Sequence, residues 1–188
     1  MKKIAIDAYY NNGICHVVGG IFENWTDEHV LKFIYTDVKV DSDYIPGEFY
    51  KRELPGILKL LEQIDLNEFD TIIVDGYVYL VEPDNVEKPG LGMRLYWSLR
   101  DQNKPVKSFS IVGIAKSLYG ENEEAYNRCF RGNSKNPLYI TTSTDWVLGL
   151  RPGDLAPDIL DQIHNMSGEY RIPTIIKEVD SETKKYWK

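Results

Sequence analysis

The chain has 188 residues, 43% of them hydrophobic, which is enough apolar material to bury one sizeable core. We therefore expect a single domain over residues 1–188, and the composition excludes fibrous and disordered proteins. The formal net charge of −7 argues against nucleic-acid binding by bulk electrostatics, but it allows a local basic rim beside acidic metal ligands.

The sequence carries no sign of a membrane or secreted protein. No apolar run reaches the roughly 18 residues that a membrane span needs, and an aspartate interrupts the start MKKIAIDAYY where a signal peptide would remain apolar. Cys15 and Cys129 form no CxxC pattern, which is typical of free thiols in a reducing compartment. We expect a cytoplasmic protein without a zinc site, because the three histidines also form no ligand cluster.

The amino-terminal part predicts an antiparallel meander. Residues 3–9 form the first strand, an Asn-Asn-Gly turn leads into the strand ICHVVGGIF, and LKFIYTDVKV continues as a third strand that ends before YIPG. Asp7 lies among apolar neighbours, where a carboxylate is costly unless it is paired, hydrogen-bonded or bound to metal. Alternatively, the strand exposes one face and Asp7 lies on that face.

Residues 48–64 predict an amphipathic helix, in which apolar residues recur at three- and four-residue steps: Leu54, Ile57, Leu58, Leu61 and Ile64. Pro55 suits an early helical turn and would place Glu53 at or just before the helix start. Glu53 is then either an ordinary first-turn acid that complements the helix dipole or a site residue at a helix terminus.

Residues 71–76, TIIVDG, predict a central strand buried on both faces of an α/β sheet. Such a strand places Asp75 at its carboxyl end, where ligands bind in open α/β sheets. The alternative is an ordinary turn, because Asp-Gly is common turn chemistry.

The next segments predict a β-α-β unit. A loop over residues 82–92 leads to the helix LGMRLYWSLRDQ and then to a second buried strand, FSIVGIAK. Lys116 ends this strand much as Asp75 ends the previous one. A further strand, PLYITTS, follows downstream.

The carboxyl-terminal part predicts helix. APDILDQIHNM is expected to be the last amphipathic helix, opened by Asp154 or Pro157 and closed near Gly168. The final RIPTIIKEVDSETKKYWK is compatible with a short helix and places Asp180 near the end of the chain.

This order predicts an α/β protein with a ribonuclease H-like fold: a mixed sheet with an antiparallel three-strand meander followed by parallel strands, flanked by helices. Such sheets carry Asp, Glu and Asp on adjacent elements to bind divalent metal. Carboxylate oxygens are the ligands that Mg²⁺ prefers, and Mg²⁺ stabilises charge and activates water in phosphodiester hydrolysis. Asp7 and Asp75 would lie side by side, with Glu53 at the intervening helix terminus.

The ordered set IDAYY, YIPGEFYKRE, TIIVDG, VGIAKS, PLYITTS and YRIP…D resembles endonuclease V, a nuclease that acts on nucleic acid containing hypoxanthine, over nearly the whole chain. The resemblance implies that Asp7, Glu53 and Asp75 bind metal, Mg²⁺ or its substitute Mn²⁺, together with the late acid Asp180. It also implies that Lys116 contacts the scissile strand. The family cleaves one nucleotide beyond the lesion on its 3′ side and leaves a 3′-hydroxyl and a 5′-phosphate.

The same resemblance implies a machinery for recognising the altered base. Tyr44, Ile45 and Pro46 match a wedge that separates the strands, and an aromatic-apolar wedge suits the unstacking of a base. The backbone of four small residues would form the pocket for the flipped base: Gly47, Gly76, Gly113 and Ala115. We expect the partner to be DNA or RNA, with inosine in it, no membrane partner, and a monomeric protein.

The chain departs from the family pattern after VDG, where residues 77–83 replace the usual Gly-Ala-His-Pro-Arg, and at residues 142–145, where Ser-Pro-Gly-His is usual. Three functions follow as hypotheses. The first is a Mg²⁺-dependent endonuclease acting on inosine-containing nucleic acid. The second keeps the metal site but changes the nucleic-acid substrate, and the third is a non-catalytic relative that binds nucleic acid or protein.

Overall fold

The fold centres on a seven-stranded mixed sheet in a computed structural model that describes residues 1–40, 48, 50–101, 109–149 and 157–186. The strands in these residues are β1 (Lys2–Asn11), β2 (Ile14–Phe22), β3 (Lys32–Lys39), β4 (Phe69–Asp75), β5 (Tyr79–Val81), β6 (Glu87–Pro89), β7 (Ser110–Ala115), β8 (Asn127–Cys129) and β9 (Leu138–Thr142). The α-helices are α1 (Tyr50–Leu61), α2 (Leu91–Arg100), α3 (Ser143–Leu148), α4 (Pro157–His164) and α5 (Thr174–Tyr186).

The strand order across the large sheet is β3-β2-β1-β4-β7-β9-β8. Strands β1, β2 and β3 form the predicted antiparallel meander, while β4 pairs parallel with both β1 and β7. Strand β9 then pairs antiparallel with β7 and with β8. This arrangement confirms the predicted mixed sheet, and it brings the carboxyl ends of three parallel strands to one edge.

Strand β4 is buried on both faces, as its apolar sequence predicted. Ile72 is fully buried in a core that also contains Leu60 of α1, and Ile73 is buried in a second core with Ile176 and Val179 of α5. Helices α1 and α2 therefore cover one face of the sheet and α5 covers the other. In the described part of the chain, no helix combines the length and apolar character needed to cross a lipid bilayer.

One local prediction was wrong, and two short elements were not predicted. The predicted loop at residues 82–92 contains β6, which pairs with β5 in a hairpin, and its turn includes Asn85 in the left-handed region at φ 60°. A three-residue strand is too short to show a strand's periodicity. Strand β8 and helix α3 are also short elements that the sequence pattern did not reveal.

The carboxyl-terminal helices also differ from expectation. Helix α4 begins at Pro157 and ends at His164, well before Gly168, and it is not the last helix. Helix α5 follows with 13 residues, longer than the short helix expected. Its buried stripe includes the polar Thr183, so the apolar signal in the sequence is weak although the helix packs across β1 and β2.

Candidate active site

Asp7 and Asp75 meet at the carboxyl edge because β1 and β4 run parallel in register. Ile6 lies opposite Val74 in the ladder, and the next residue of each strand is an aspartate. Both carboxylates are half-buried. The structure thus places the two predicted acids side by side, which the sequence could only suggest.

Lys116 directly follows β7, the strand on the other side of β4. Its ammonium nitrogen Nζ lies 2.5 Å from Oδ2 of Asp75 and 3.8 Å from Oδ1 of Asp180 on α5. Lys184, one turn further along α5, pairs with Oδ2 of Asp180 at 2.6 Å. Asp7, Asp75, Lys116 and Asp180 line one small cavity against α5.

Glu53 approaches the same edge from the opposite face of the sheet. Glu53 belongs to the first turn of α1, as predicted, but Pro55 lies inside the helix, so the prediction that Glu53 stands at or just before the helix start was wrong. Glu53, Asp7 and Asp75 line a cleft of about 100 Å³. Asp7 and Asp75 therefore stand between Glu53 on the α1 side and Asp180 on the α5 side.

Burial and the neighbouring acids shift the pKa of Glu53 and of Asp7. Burial, together with the charges of Asp7 and Asp75, raises the pKa of Glu53 to about 8. Burial and the charge of Asp75 raise the pKa of Asp7 to about 6, while the Thr183 hydroxyl and the Lys116 charge act in the opposite direction. Burial disfavours the charged form of Lys116, but the hydrogen bond to Asp75 and the nearby acids outweigh it and raise the pKa of Lys116.

The donor chemistry at this edge fits a hard divalent cation, since every candidate ligand is a carboxylate oxygen. Glu53 forms no hydrogen bond or ion pair with a residue that the structure describes, so its oxygens are available. The described residues nevertheless contain no group of three His, Cys, Asp or Glu side chains close enough to hold a metal ion. The Lys116 ammonium instead compensates the charge of Asp75 and Asp180.

Three side chains that sequence reasoning missed hold this arrangement together. Arg171 donates hydrogen bonds to the backbone carbonyls of Lys116 and Pro137, which ties the end of β7 to the segment before α5. Tyr77 donates its hydroxyl to the carbonyl of Ser117 at 2.8 Å, next to Lys116. The third is Thr183, whose hydroxyl faces Asp7 from α5. The RIP motif around Arg171 was the one signal available for them.

The small residues predicted to form a base pocket have mixed placements. A Cβ atom on Gly113 would lie 2.5 Å from the carbonyl oxygen of Gly76 and 2.9 Å from the backbone nitrogen of Val78. Gly113 thus lets the turn after Asp75 cross closely over β7, which is a backbone-to-backbone approach. Ala115 is buried in β7 at 4% exposure. The fourth predicted pocket residue, Gly47, and the three wedge residues Tyr44, Ile45 and Pro46 lie outside the described residues.

The departure from the family pattern at residues 142–145 has a structural explanation. Thr142 caps α3 by accepting a hydrogen bond from the backbone nitrogen of Asp145, and the Asp145 carboxylate accepts one from the nitrogen of Thr142. This capping box satisfies two backbone donors at the helix start. The segment therefore serves to begin a helix after β9.

Solved structures of endonuclease V share this fold. The Streptomyces avermitilis enzyme matches with a TM-score of 0.64 and 16% identity, over 100% of this chain and 81% of that one. The catalytic domain of human endonuclease V gives 0.62 and 16%, over 99% and 82%. Ciona intestinalis endonuclease V, solved with a 24mer DNA that contains an inosine, gives 0.65 and 15%, over 99% and 85%.

No family model and no curated protein matches the chain by sequence. The structural likeness, at identities of 15–16%, establishes a shared fold. It confirms the predicted ribonuclease H-like α/β class, and it confirms the resemblance to endonuclease V at the level of the fold.

Proposed function

We propose that the protein is a Mg²⁺-dependent endonuclease that hydrolyses phosphodiester bonds in nucleic acid. The observation that carries this proposal is the convergence of Asp7, Glu53 and Asp75 on one cleft at the carboxyl edge of the sheet, with Lys116 and Asp180 beside them. Burial and the neighbouring acid charges raise the pKa of Glu53 and of Asp7, and a bound divalent cation would favour the ionised form of both carboxylates.

The acids and Lys116 have different parts in the proposed chemistry. Asp7, Glu53, Asp75 and Asp180 would bind Mg²⁺, or Mn²⁺ in its place, which when bound neutralises charge on the reacting phosphate and lowers the pKa of water. Glu53 would release its proton on binding, because burial and the charges of Asp7 and Asp75 raise its pKa and a bound cation would offset both effects. Lys116 would exchange its contact with Asp75 for one with a phosphate oxygen of the scissile strand.

For the substrate we propose DNA or RNA that contains inosine, cleaved on the 3′ side of the altered base. Support comes from the motifs shared in order with endonuclease V and from the fold shared with structures of that name, one of them bound to inosine-containing DNA. The wedge and pocket roles that the resemblance implies belong to this proposal.

The test uses end-labelled oligonucleotides of one sequence that differ only in a single inosine, prepared as DNA and as RNA. Each is incubated with the protein in Mg²⁺, in Mn²⁺ and in chelator, and the ends of the products are mapped. The expected result is metal-dependent cleavage one nucleotide beyond the inosine, leaving a 3′-hydroxyl and a 5′-phosphate. Equal cleavage of the control strands would support nuclease activity but contradict the preference for inosine. No cleavage of any strand would favour a non-catalytic binding protein.

A second candidate is a metal-dependent nuclease with another nucleic-acid substrate. It is favoured by the segment after Asp75, where Tyr77 is engaged with Ser117 and the chain continues into the β5–β6 hairpin in place of the family's Gly-Ala-His-Pro-Arg. A changed loop beside an unchanged acid cluster is expected to alter which nucleic acid is recognised and to leave the hydrolysis step the same.

A further inference from the structure

An open cleft of about 810 Å³ begins at Lys116 and Asp180 and extends away from the acid cluster. Its walls come from α5, from the segment that precedes this helix, and from the turn at Asn133 and Ser134. The cleft thus shares two residues with the candidate active site while reaching well beyond it. Nothing in the proposed hydrolysis uses its outer part.

The charge of this cleft is opposite to that of the whole protein. It contains four basic side chains and two acidic ones in a chain of net charge −7: Lys116, Arg171, Lys177, Lys184, Glu169 and Asp180. Lys116 and Lys184 already pair with Asp180, and Arg171 donates to backbone carbonyls. Lys177 is exposed and forms no ion pair with a described residue, so its charge is available to an anion from outside.

Tyr170 contributes an aromatic ring to the same cleft. Tyr170 is 73% exposed, the largest exposed fraction among the large hydrophobic residues that the structure describes. The backbone of Tyr170 is anchored by the buried Arg131, which donates a hydrogen bond to the Tyr170 carbonyl at 3.1 Å. The Nζ atom of Lys177 lies 5.5 Å from the centre of the ring.

We propose that this cleft binds a single-stranded segment of nucleic acid, with a base stacked on Tyr170 and phosphates on Lys177 and its basic neighbours. An exposed ring beside a cation on a positively charged track is how proteins hold single strands without reading their sequence. The strand would continue from the scissile bond, because Lys116 and Asp180 belong to both sites. The inference rests on the proposed function for its ligand, but binding can be measured without cleavage.

The experiment measures binding of fluorescein-labelled single strands without inosine, DNA and RNA, by anisotropy in chelator over a range of salt concentrations. Tyr170→Ala should weaken binding by about tenfold or more, whereas Tyr170→Phe should bind as the parent does, because stacking is worth ~10-fold or more per base and needs no hydroxyl. Lys177→Ala should weaken binding and reduce the magnitude of the slope of log K against log salt by about 0.7. Lys177→Arg keeps the charge and should show the parent's affinity and slope. Lys185→Ala is the matched control, since Lys185 lies on α5 outside the cleft and pairs with Glu182 at 3.7 Å.

Unchanged affinity and salt slope in Tyr170→Ala and Lys177→Ala would overturn the inference, as would a loss that Lys185→Ala shares. A parent protein that binds neither DNA nor RNA strands would overturn it as well. If strand binding depends on Tyr170 and Lys177, the inference about the cleft is supported even when inosine-containing strands are not cut. A failure of strand binding can therefore be distinguished from a failure of the proposed hydrolysis.

Discussion

Asp75 and Lys116 form the ion pair that balances charge at the carboxyl edge of the sheet, with Oδ2 and Nζ 2.5 Å apart although 41 residues separate them in the chain. The β-α-β unit makes this possible, because β4 and β7 are neighbouring parallel strands and each residue stands at a strand end. A cation bound at Asp75 must therefore compete with the Lys116 ammonium.

Lys116→Met should make the protein less stable without metal and more responsive to it. Each side chain of the ion pair with Asp75 is about one-third exposed, so its loss should lower the free energy of unfolding by about 1 kcal/mol and the Tm by about 2–4 °C in chelator. Saturating Mg²⁺ should then raise the Tm of the variant by more than it raises that of the parent, because the competing ammonium is gone. Thermal unfolding with and without Mg²⁺ measures both effects.

Lys59→Met is the control for the loss of a lysine, since Lys59 is exposed in the last turn of α1 and pairs with Glu62 just after the helix. Its Tm should respond to Mg²⁺ as the parent's does. A Mg²⁺-induced rise in Lys116→Met that is equal to or smaller than the parent's would show that Lys116 does not compete with the metal.

The protonation of Glu53 should make the metal-free protein lose stability as the pH rises. The pKa of Glu53 is about 8 in the folded protein against an ordinary value of 4.5, so between these pH values the folded state holds a proton that the unfolded chain has released. The free energy of unfolding then falls with rising pH, by at most about 1.4 kcal/mol per pH unit for this group. Glu53→Gln should therefore be as stable as the parent near pH 4, below the ordinary pKa, and more stable near pH 8.

Urea unfolding in chelator at several pH values measures this difference, with Glu62→Gln as the exposed control. Asp7 acts in the same direction between pH 3.8 and about 6 in both proteins, so the comparison of parent and variant isolates Glu53. Added Mg²⁺ should reduce the difference near pH 8. A parent that is the more stable of the two near pH 8 in chelator would contradict the raised pKa.

Gly113→Ala should destabilise the protein by about 1–3 kcal/mol and slow cleavage, because the new methyl group would clash with neighbouring backbone atoms. It would meet backbone atoms of Gly76 and Val78 within 3 Å, and these atoms belong to the turn that carries Asp75. The measurement pairs urea unfolding with cleavage rates at a temperature where the variant is folded.

Gly149→Ala provides the comparison, since no described atom lies within 4 Å of the added group and only its φ of 63° is unfavourable. This backbone strain costs about 1–2 kcal/mol. Gly149 is far in sequence from the four acids of the candidate site. Gly149→Ala should keep full cleavage activity. Equal activity of the two variants would mean that the Gly76 turn tolerates displacement and does not position Asp75.

The residues at strand ends were the most predictable part of the site. Asp75 and Lys116 each follow an apolar β-branched run, and the carboxyl ends of parallel strands meet at one edge of a sheet. Asp7 could be singled out because a carboxylate in an apolar strand needs a partner. The sequence alone could not say that its neighbours would be Asp75 on one side and Thr183 of α5 on the other.

The helical residues were harder to place for physical reasons. Pro55 normally marks a first turn, but here it lies five residues after Tyr50 and gives up one helical hydrogen bond, so Glu53 lies three residues after the helix start, in the first turn. Helix α5 buries a thin stripe of Ile175, Ile176, Val179 and Thr183 among many charges, which hides its length from a periodicity argument. Asp180 was therefore assigned through the resemblance and not through its helix.

The most direct measurement is the cleavage rate of inosine-containing strands in Mg²⁺ by the parent, by Asp75→Asn and by the control Asp70→Asn. Asp70 lies at the other end of the same strand and approaches Lys3 at 3.7 Å. Asp70→Asn therefore controls for the loss of an aspartate from β4 that does not belong to the acid cluster. We predict that Asp75→Asn lowers the rate by roughly a thousandfold, since a metal ligand supports several kcal/mol of transition-state stabilisation, and that Asp70→Asn cuts as the parent does. Cleavage by Asp75→Asn at the parent's rate would contradict the assignment of this edge as the active site.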